Sequence, residues 1–155
     1  MNTIRKANVH DLGVIRRLNH GLFLIDYPND HALNTDWPNQ SAGEEYFKKR
    51  INGETGVCFV AETTAGVVGY ITGHVYEEID KTDTLLRCEL DNIYVEVATR
   101  STGIGRDLVL NLEKWCKAQG AESMFVVAYS GNQNAIDFYE AYGFKPYALK
   151  LEYSL

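Results

Sequence analysis

The sequence predicts a single α/β domain with elements in the order β-α-α-β-β-β-α-β-α-β. Three observations predict it. Strand and helix patterns alternate through the second half of the chain, as in domains that layer helices on a sheet. Apolar residues spaced three or four apart mark the helices, and short apolar runs bounded by turn residues mark the strands. Gly is frequent (13) and Pro scarce (3), so tight turns are plentiful and no Pro-rich linker divides the 155 residues.

Thr3 to Lys6 begins a short strand. Asn8 is placed to cap a helix, with Asp11 at the third helical position, where an acid suits the helix dipole. This helix carries Leu12, Ile15, Leu18, Leu22 and Ile25 on one face. It ends by Tyr27-Pro28, because a residue before Pro resists the helical region. Residues 28–40 read as a loop. Ser41-Ala-Gly-Glu44 has the form of a capping box opening a second helix through Ile51. Val57 to Glu62 and Val67 to Tyr76 form a hairpin around Thr63-Thr64-Ala65-Gly66. Residues 77–84 are a polar connection that holds the acidic group Glu77, Glu78 and Asp80, and Arg87 to Val97 is a long strand. Residues 103–119 make the strongest helix, with Ile104, Leu108, Leu112 and Trp115 as its stripe and Gly120 as its stop. Met124 to Ala128 is a buried strand. Asn132 caps a helix running to Tyr142, and Pro146 to Tyr153 is the last strand.

Composition removes several functions. With 45% hydrophobic and 23% charged residues, the chain has the balance of a folded soluble protein. The net charge is −6 and no Lys/Arg run exists to grip a phosphate backbone, so no nucleic-acid partner is expected. No apolar run approaches the ~18 residues of a membrane span, and the N-terminus lacks the apolar core of a signal peptide. A cytoplasmic protein with no membrane partner is therefore expected. Cys58, Cys88 and Cys116 are odd in number and sit in apolar runs, which reads as reduced core thiols. The four histidines show no ligand spacing along the chain, so no metal is expected.

The informative stretch is Asn92 to Arg106, where a strand enters a loop with Arg100, Gly103 and Gly105, and the loop opens an amphipathic helix. The first N–H groups of a helix have no internal partner, and the helix dipole adds partial positive charge there. Glycines let a diphosphate approach the backbone, and Arg100 and Arg106 add two cations. A Walker loop would need Gly-Lys-Ser/Thr, which is absent. A dinucleotide fingerprint would need a small residue where Leu108 stands.

Val95-x-Val97-x-x-Arg100-Ser-Thr-Gly103-Ile-Gly105 resembles the acetyl-CoA signature of the GNAT superfamily of N-acetyltransferases. Val97 stands where that family often has Pro. A second motif of the family lies downstream as Asn132-x-x-Ala135-x-x-Phe138-Tyr139-x-x-x-Gly143-Phe144. The resemblance implies a mixed, mostly antiparallel twisted sheet of about six to seven strands flanked by about four helices, in one domain over residues 1–155. It implies acetyl-CoA as cosubstrate. The amides of Arg100, Ser101, Thr102, Gly103, Ile104, Gly105 and Arg106 would hold its pyrophosphate. The backbone along Ile93, Tyr94 and Val95 would pair with the pantetheine arm like an added strand. The Val95 N–H would face the thioester oxygen, Asn132 would bond the arm, and Tyr139 would stand near the sulfur as general acid. Relatives often form dimers, so a homodimer is implied too.

Acetyl transfer to an amine needs a neutral amine, and aliphatic amines are protonated at pH 7. Glu89 and Asp91 lie two apart on the strand before the loop, so both point to one face. Glu89 reads as the base and Asp91 as the anchor of the acceptor amine, with Asp91 or water as the alternative base. Tyr27, Asp30 and Trp37 are candidate acceptor contacts, because acids and ring faces both suit a cation. The acceptor stays open among a polyamine, an aminoglycoside, an amino acid, a peptide N-terminus and a lysine side chain. A non-catalytic acyl-CoA-binding or regulatory module of the same fold is the alternative function.

Overall fold

The computed structural model describes residues 2–76 and 86–155. Five strands, β1 (Thr3–Lys6), β2 (Val57–Thr63), β3 (Gly66–Tyr76), β4 (Arg87–Val95) and β5 (Ser123–Val126), lie in the order β1-β2-β3-β4-β5. The first four pair antiparallel as a meander, and β5 runs parallel to β4. The described residues hold four α-helices as well: α1 (Leu12–Asp26), α2 (Ser41–Asn52), α3 (Ile104–Ala118) and α4 (Gln133–Tyr142). The acidic group of the 77–84 connection lies outside the described residues.

Each face of the sheet has its own core. Against one face, Ile104, Leu108, Val109 and Leu112 of α3 pack on Phe59, Ala61, Ile71, Cys88 and Leu90. Against the other, Ile15 and Leu18 of α1 and Phe47 of α2 pack on Cys58, Val60 and Tyr70. The α3 stripe is thus the one expected from its three-to-four spacing. All three cysteines are buried and free, as their apolar surroundings imply. Asn8 accepts the His10 N–H at 2.9 Å, and the Asn8 N–H donates to Asp11 at 2.8 Å. The expected cap therefore forms, through one 3-10 turn (Val9–Asp11) that precedes α1.

β4 carries an irregularity that positions everything beside it. Its register against β3 runs Thr72↔Asn92 and then Gly73↔Leu90, so Asp91 is an extra residue, a β-bulge. The bulge shifts the side-chain alternation by one. Leu90 faces α3, but Asp91 and Asn92 both face α2, where each meets the Tyr46 hydroxyl. Beyond the bulge, Ile93 and Val95 face α3 and Tyr94 faces α1 and α2.

Three expectations are corrected. The Ser41 capping box does not form: Ser41 is already helical, Gln40 is the cap without a side-chain bond, and Glu44 is drawn to Arg16 and Lys48. The long strand stops at Val95 rather than Val97, because residues 97–99 turn toward the loop. Residues 146–153 form no strand, and among the described residues the sheet has five strands rather than six or seven. Tyr147, Leu149, Leu151 and Tyr153 alternate with Ala148, Lys150 and Glu152 much as a strand should, yet each of the four is at least 76% exposed. Alternation marks a potential strand, and a strand exists only where a neighbour completes the ladder.

Gly73 lies where the bulge meets α3. A Cβ there would sit 2.7 Å from Leu112 Cδ1 and 2.8 Å from the Glu89 carbonyl oxygen. Gly73→Ala is expected to destabilise the fold by about 1–3 kcal/mol, the usual cost of overpacking. Thermal unfolding followed by circular dichroism reads this directly, and an unchanged Tm would show that β4 and α3 are loosely joined there.

Candidate active site

The β4–β5 pairing runs from Arg87↔Ser123 to Leu90↔Val126 and stops at the bulge. β4 continues to Val95 while the chain leaves β5, so the two part and a cleft opens between them. The Glu96 N–H donates to the Val68 carbonyl at 2.8 Å. Amides along a strand point alternately to its two sides. The N–H groups of Ile93 and Val95 therefore point away from β3, into the cleft. A cavity of about 600 Å³ occupies the cleft, lined by Asp91, Ile93, Tyr94 and Val95 on one side and by Val126, Val127 and Ala128 on the other. That is the size of a small-molecule site.

At one end of the cavity the loop before α3 makes an anion cradle. None of the amides from Ser101 to Arg106 has an acceptor among the described residues, and the first loop-to-helix bond is Asp107 N–H to the Gly103 carbonyl at 3.0 Å. Gly103, at φ +88°, turns the chain into α3 in a left-handed conformation that Gly adopts without cost. Ser101, at φ 63°, holds the same region with a side chain and stores mild strain in the loop. A Cβ on Gly105 would be 3.1 Å from the Phe138 ring, so Gly105 lets α3 and α4 approach. Arg100 donates from Nε to the Val95 carbonyl at 2.9 Å, with its guanidinium 5.3 Å from the Tyr94 ring centroid. Arg106 lies over the Tyr142 ring. Every cradle residue named from the sequence lines the cavity except Thr102, whose hydroxyl caps the Thr99 carbonyl.

Tyr139 lines the same cavity, with no partner for its hydroxyl among the described residues. Burial first, and the nearby Asp26 carboxylate second, push this phenol up to about 12. Asn132 caps α4 by accepting the Ala135 N–H at 3.2 Å, and its Nδ2 donates to Asp26 at 3.4 Å. Burial raises the Asp26 carboxyl above the ordinary range, and the Asn132 bond partly offsets this.

The two strand acids stand on the α2 side of the bulge. Asp91 is held on both oxygens: Arg50 Nε at 2.9 Å and Tyr46 Oη at 2.8 Å reach Oδ2, and His74 Nδ1 lies 2.7 Å from Oδ1. Glu89 is less occupied, 3.8 Å from His74 Nε2. Burial, and then the Asp91 charge, raise the Glu89 carboxyl, against the pull of His74 and Arg50. Glu89, Asp91 and His74 offer ligand atoms within 4.8 Å of one another, a set assembled across two strands that no spacing along the chain reveals. The positive charge beside them is Arg50.

The three candidate acceptor contacts do not come together. Trp37 packs among Phe23, Tyr46 and Phe47, and Tyr27 meets the His31 ring edge-on. Asp30 accepts the Tyr129 hydroxyl at 3.0 Å. None of the three lines the cavity, and Leu22, Ile25 and Asp26 of α1 line it instead. The sequence signal for these is the far end of the α1 stripe, where Ile25 remains 40% exposed. Arg50 and His74 carry no motif; only register and the bulge bring them to Asp91.

Residues 23–144 match the model of the Acetyltransferase (GNAT) family. No functionally curated protein matches the sequence. A solved structure of a tetramutant of the BH1408 protein from Bacillus halodurans is 19% identical, with 99% of each chain covered and a TM-score of 0.87. The aminoglycoside 6'-N-acetyltransferase AAC(6')-Ih from Acinetobacter baumannii is 18% identical over 100% of this chain and 98% of that one, with a TM-score of 0.78. AAC(6')-Iy, solved with the bisubstrate analog CoA-S-monomethyl-acetylneamine, is 17% identical with the same coverage and TM-score. At these identities the likeness shows a shared fold. With its family model spanning most of the sequence, from α1 to the end of α4, the chain belongs to the GNAT family of acetyltransferases.

Proposed function

We propose that the protein moves the acetyl group of acetyl-CoA to a primary amine of a small molecule or peptide, by direct attack in a ternary complex. The observation that carries this reading is the unbroken run of unpaired amides from Ser101 to Arg106, which opens into the same cavity as the free Ile93 and Val95 N–H groups and Tyr139. The residues fit the ligand. The cradle matches a diphosphate, the parted edge of β4 matches an amide-bearing arm that adds as a strand, and the apolar wall beyond matches an acyl thioester. AAC(6')-Iy, which shares the fold, was solved with a CoA-based bisubstrate analog.

The chain's own groups then divide the work. The N–H of Val95 faces the thioester oxygen and stabilises the negative charge that develops there. Tyr139 donates to the sulfur as the C–S bond breaks. A phenol near 12 is a weaker acid than a free thiol near ~8.5, so full transfer in the ground state is uphill by about 5 kcal/mol. Tyr139 therefore acts chiefly as a hydrogen-bond donor to the departing thiolate, and passes its proton to sulfur only as the acceptor nitrogen reprotonates the phenol. Glu89 receives the proton of the acceptor ammonium. Asp91 is too fully bonded to anchor a substrate amine directly, and it orients Arg50 and His74 at the edge of the acceptor side.

A homodimer belongs to the same proposal. The outer edge of β5 pairs with no strand among the described residues, and the apolar side chains Leu149, Leu151, Tyr153 and Leu155 are exposed. A second copy that lays its segment on that edge satisfies both. Sedimentation is expected to show a species of twice the chain mass, lost on removal of residues 147–155; a monomer at every concentration contradicts it.

Thiol release from acetyl-CoA across a polyamine, an aminoglycoside, an amino acid, a peptide N-terminus and a lysine side chain tests the main reading. Release with at least one class is expected. Coenzyme A binding without release for any amine would leave the non-catalytic module. Tyr139→Phe is expected to lower kcat roughly tenfold to a thousandfold with KM for acetyl-CoA nearly unchanged; wild-type turnover would remove Tyr139 from the reaction. Glu89 must be ionised to accept a proton, and its carboxyl is raised, so activity should fall with decreasing pH above the ordinary carboxylate range. Glu89→Gln should abolish that acid limb and lower kcat/KM about a hundredfold or more. A profile identical to wild type would give the role to water.

A further inference from the structure

We propose that His74 completes the base: it relays the proton that Glu89 takes from the acceptor ammonium, with Asp91 and Arg50 holding its ring in place. The proposal rests on the acetyl-transfer reading above and assigns a role to a residue that lies outside both sequence motifs.

His74 on β3 is the register partner of Glu89 on β4. The bulge then turns Asp91 toward the same ring, so one imidazole meets two carboxylates. Its Nδ1 is 2.7 Å from Asp91 Oδ1, and its Nε2 is 3.8 Å from Glu89 Oε2. Asp91 Oδ2 is filled by Arg50 and Tyr46, which leaves Oδ1 to accept from Nδ1–H. This fixes the tautomer: Nδ1 carries the hydrogen, and Nε2 is the nitrogen that faces Glu89. A carboxylate and a bare ring nitrogen repel each other at such a separation. A proton held by either one turns repulsion into attraction, so the pair is built to share one.

The surroundings separate the roles of the two acids. Asp91 and Arg50 have side chains only 11% and 10% exposed and bond each other, as a fixed support. Glu89 and His74 are each 25% exposed and stand toward solvent, as a path requires. The other groups facing His74 are Tyr76 of its own strand, with ring centroids 6.4 Å apart, and Tyr46 and Arg50 of α2 behind Asp91. Phe125 of β5 closes the far side of Tyr76.

The proton count shows what the relay does. The overall change is R–NH3⁺ plus acetyl–S–CoA giving R–NH–acetyl, HS–CoA and one H⁺. The C–N bond forms with the amine's lone pair, and the C–S bond breaks with its pair going to sulfur. One of the two protons that nitrogen loses replaces the proton Tyr139 gives to sulfur. The other must leave the site. Glu89 passes it to Nε2, and the exposed ring edge returns it to water, which frees Glu89 for the next acceptor.

His74→Asn separates relay from support, because the Asn side-chain amide can still donate to Asp91 where Nδ1 did. The variant should fold with a Tm close to wild type and bind coenzyme A with unchanged affinity by calorimetry. With acetyl-CoA and the best amine of the panel, kcat should fall about tenfold or more, with KM for acetyl-CoA constant. His74 pulls the Glu89 carboxyl downward, so its loss should move the acid limb of the profile to higher pH. Wild-type kcat and profile in His74→Asn would overturn the proposal. A second measurement needs no acceptor: carboxyl-¹³C NMR titration of Glu89, assigned through Glu89→Gln, in the wild-type and His74→Asn chains. An upward shift of the Glu89 midpoint is expected, and an unmoved midpoint overturns the relay whatever the activity. An inactive wild-type chain that shows the shift overturns the acetyl-transfer reading instead, so the two failures are distinct.

Discussion

The extra residue in β4 is the constraint on which the rest of the molecule depends. A regular strand would keep β4 beside β5 to its end and would send Asp91 and Asn92 to opposite faces. With Asp91 inserted opposite Thr72 and Gly73, the parallel pairing ends at Leu90 and Val126, and the two strands part. The same residue turns two consecutive polar side chains toward α2. One irregularity thus opens the cleft, frees two backbone donors within it and sets Asp91 at its wall, with Glu89 and His74 behind Asp91 and outside the lining. Bulges are common beside active sites for this reason: they re-aim side chains and end a ladder at a chosen place.

The electrostatics are local. The chain carries −6, which would repel an anionic ligand at long range. The loop sets against this, at close range, amides without acceptors among the described residues, the α3 dipole, Arg100 and Arg106. Deeper in the cleft, burial governs, and it raises Tyr139 and Asp26 alike. On the α2 side burial also raises Glu89, while the Arg50 cation and His74 restrain the rise. The loop amides, the buried Tyr139 phenol and the Glu89 carboxyl thus stand in three distinct environments around one parted strand pair.

Much of this was legible in the sequence. The α3 stripe, the Gly120 and Gly143 stops, the Asn8 and Asn132 caps and the glycine-bearing loop are local features, set by spacing and side-chain chemistry over a few residues. That the loop residues, Thr102 excepted, and Tyr139 line one cavity follows from motifs that are contiguous in the sequence. Trp37 could not be placed, since an aromatic in a loop packs or binds according to partners on distant elements; here Phe23, Tyr46 and Phe47 claim it. The bulge was hidden because Asp91-Asn92 interrupts the alternation of Cys88 to Leu90 without showing which residue is the extra one until the register with β3 is known. His74 and Arg50 were hidden with it. Residues 146–153 show the reverse case, a strand pattern without a ladder partner among the described residues.

The central claim is that the free amides of the bulged strand and the loop hold coenzyme A. Backbone amide NMR with stepwise addition of coenzyme A tests it most directly. The account predicts that the Ile93, Val95 and Ser101–Arg106 resonances shift together and saturate at one affinity, while those of β1 and the β2–β3 turn stay fixed. Saturable binding that leaves these amides unmoved, or no binding at all, would contradict it.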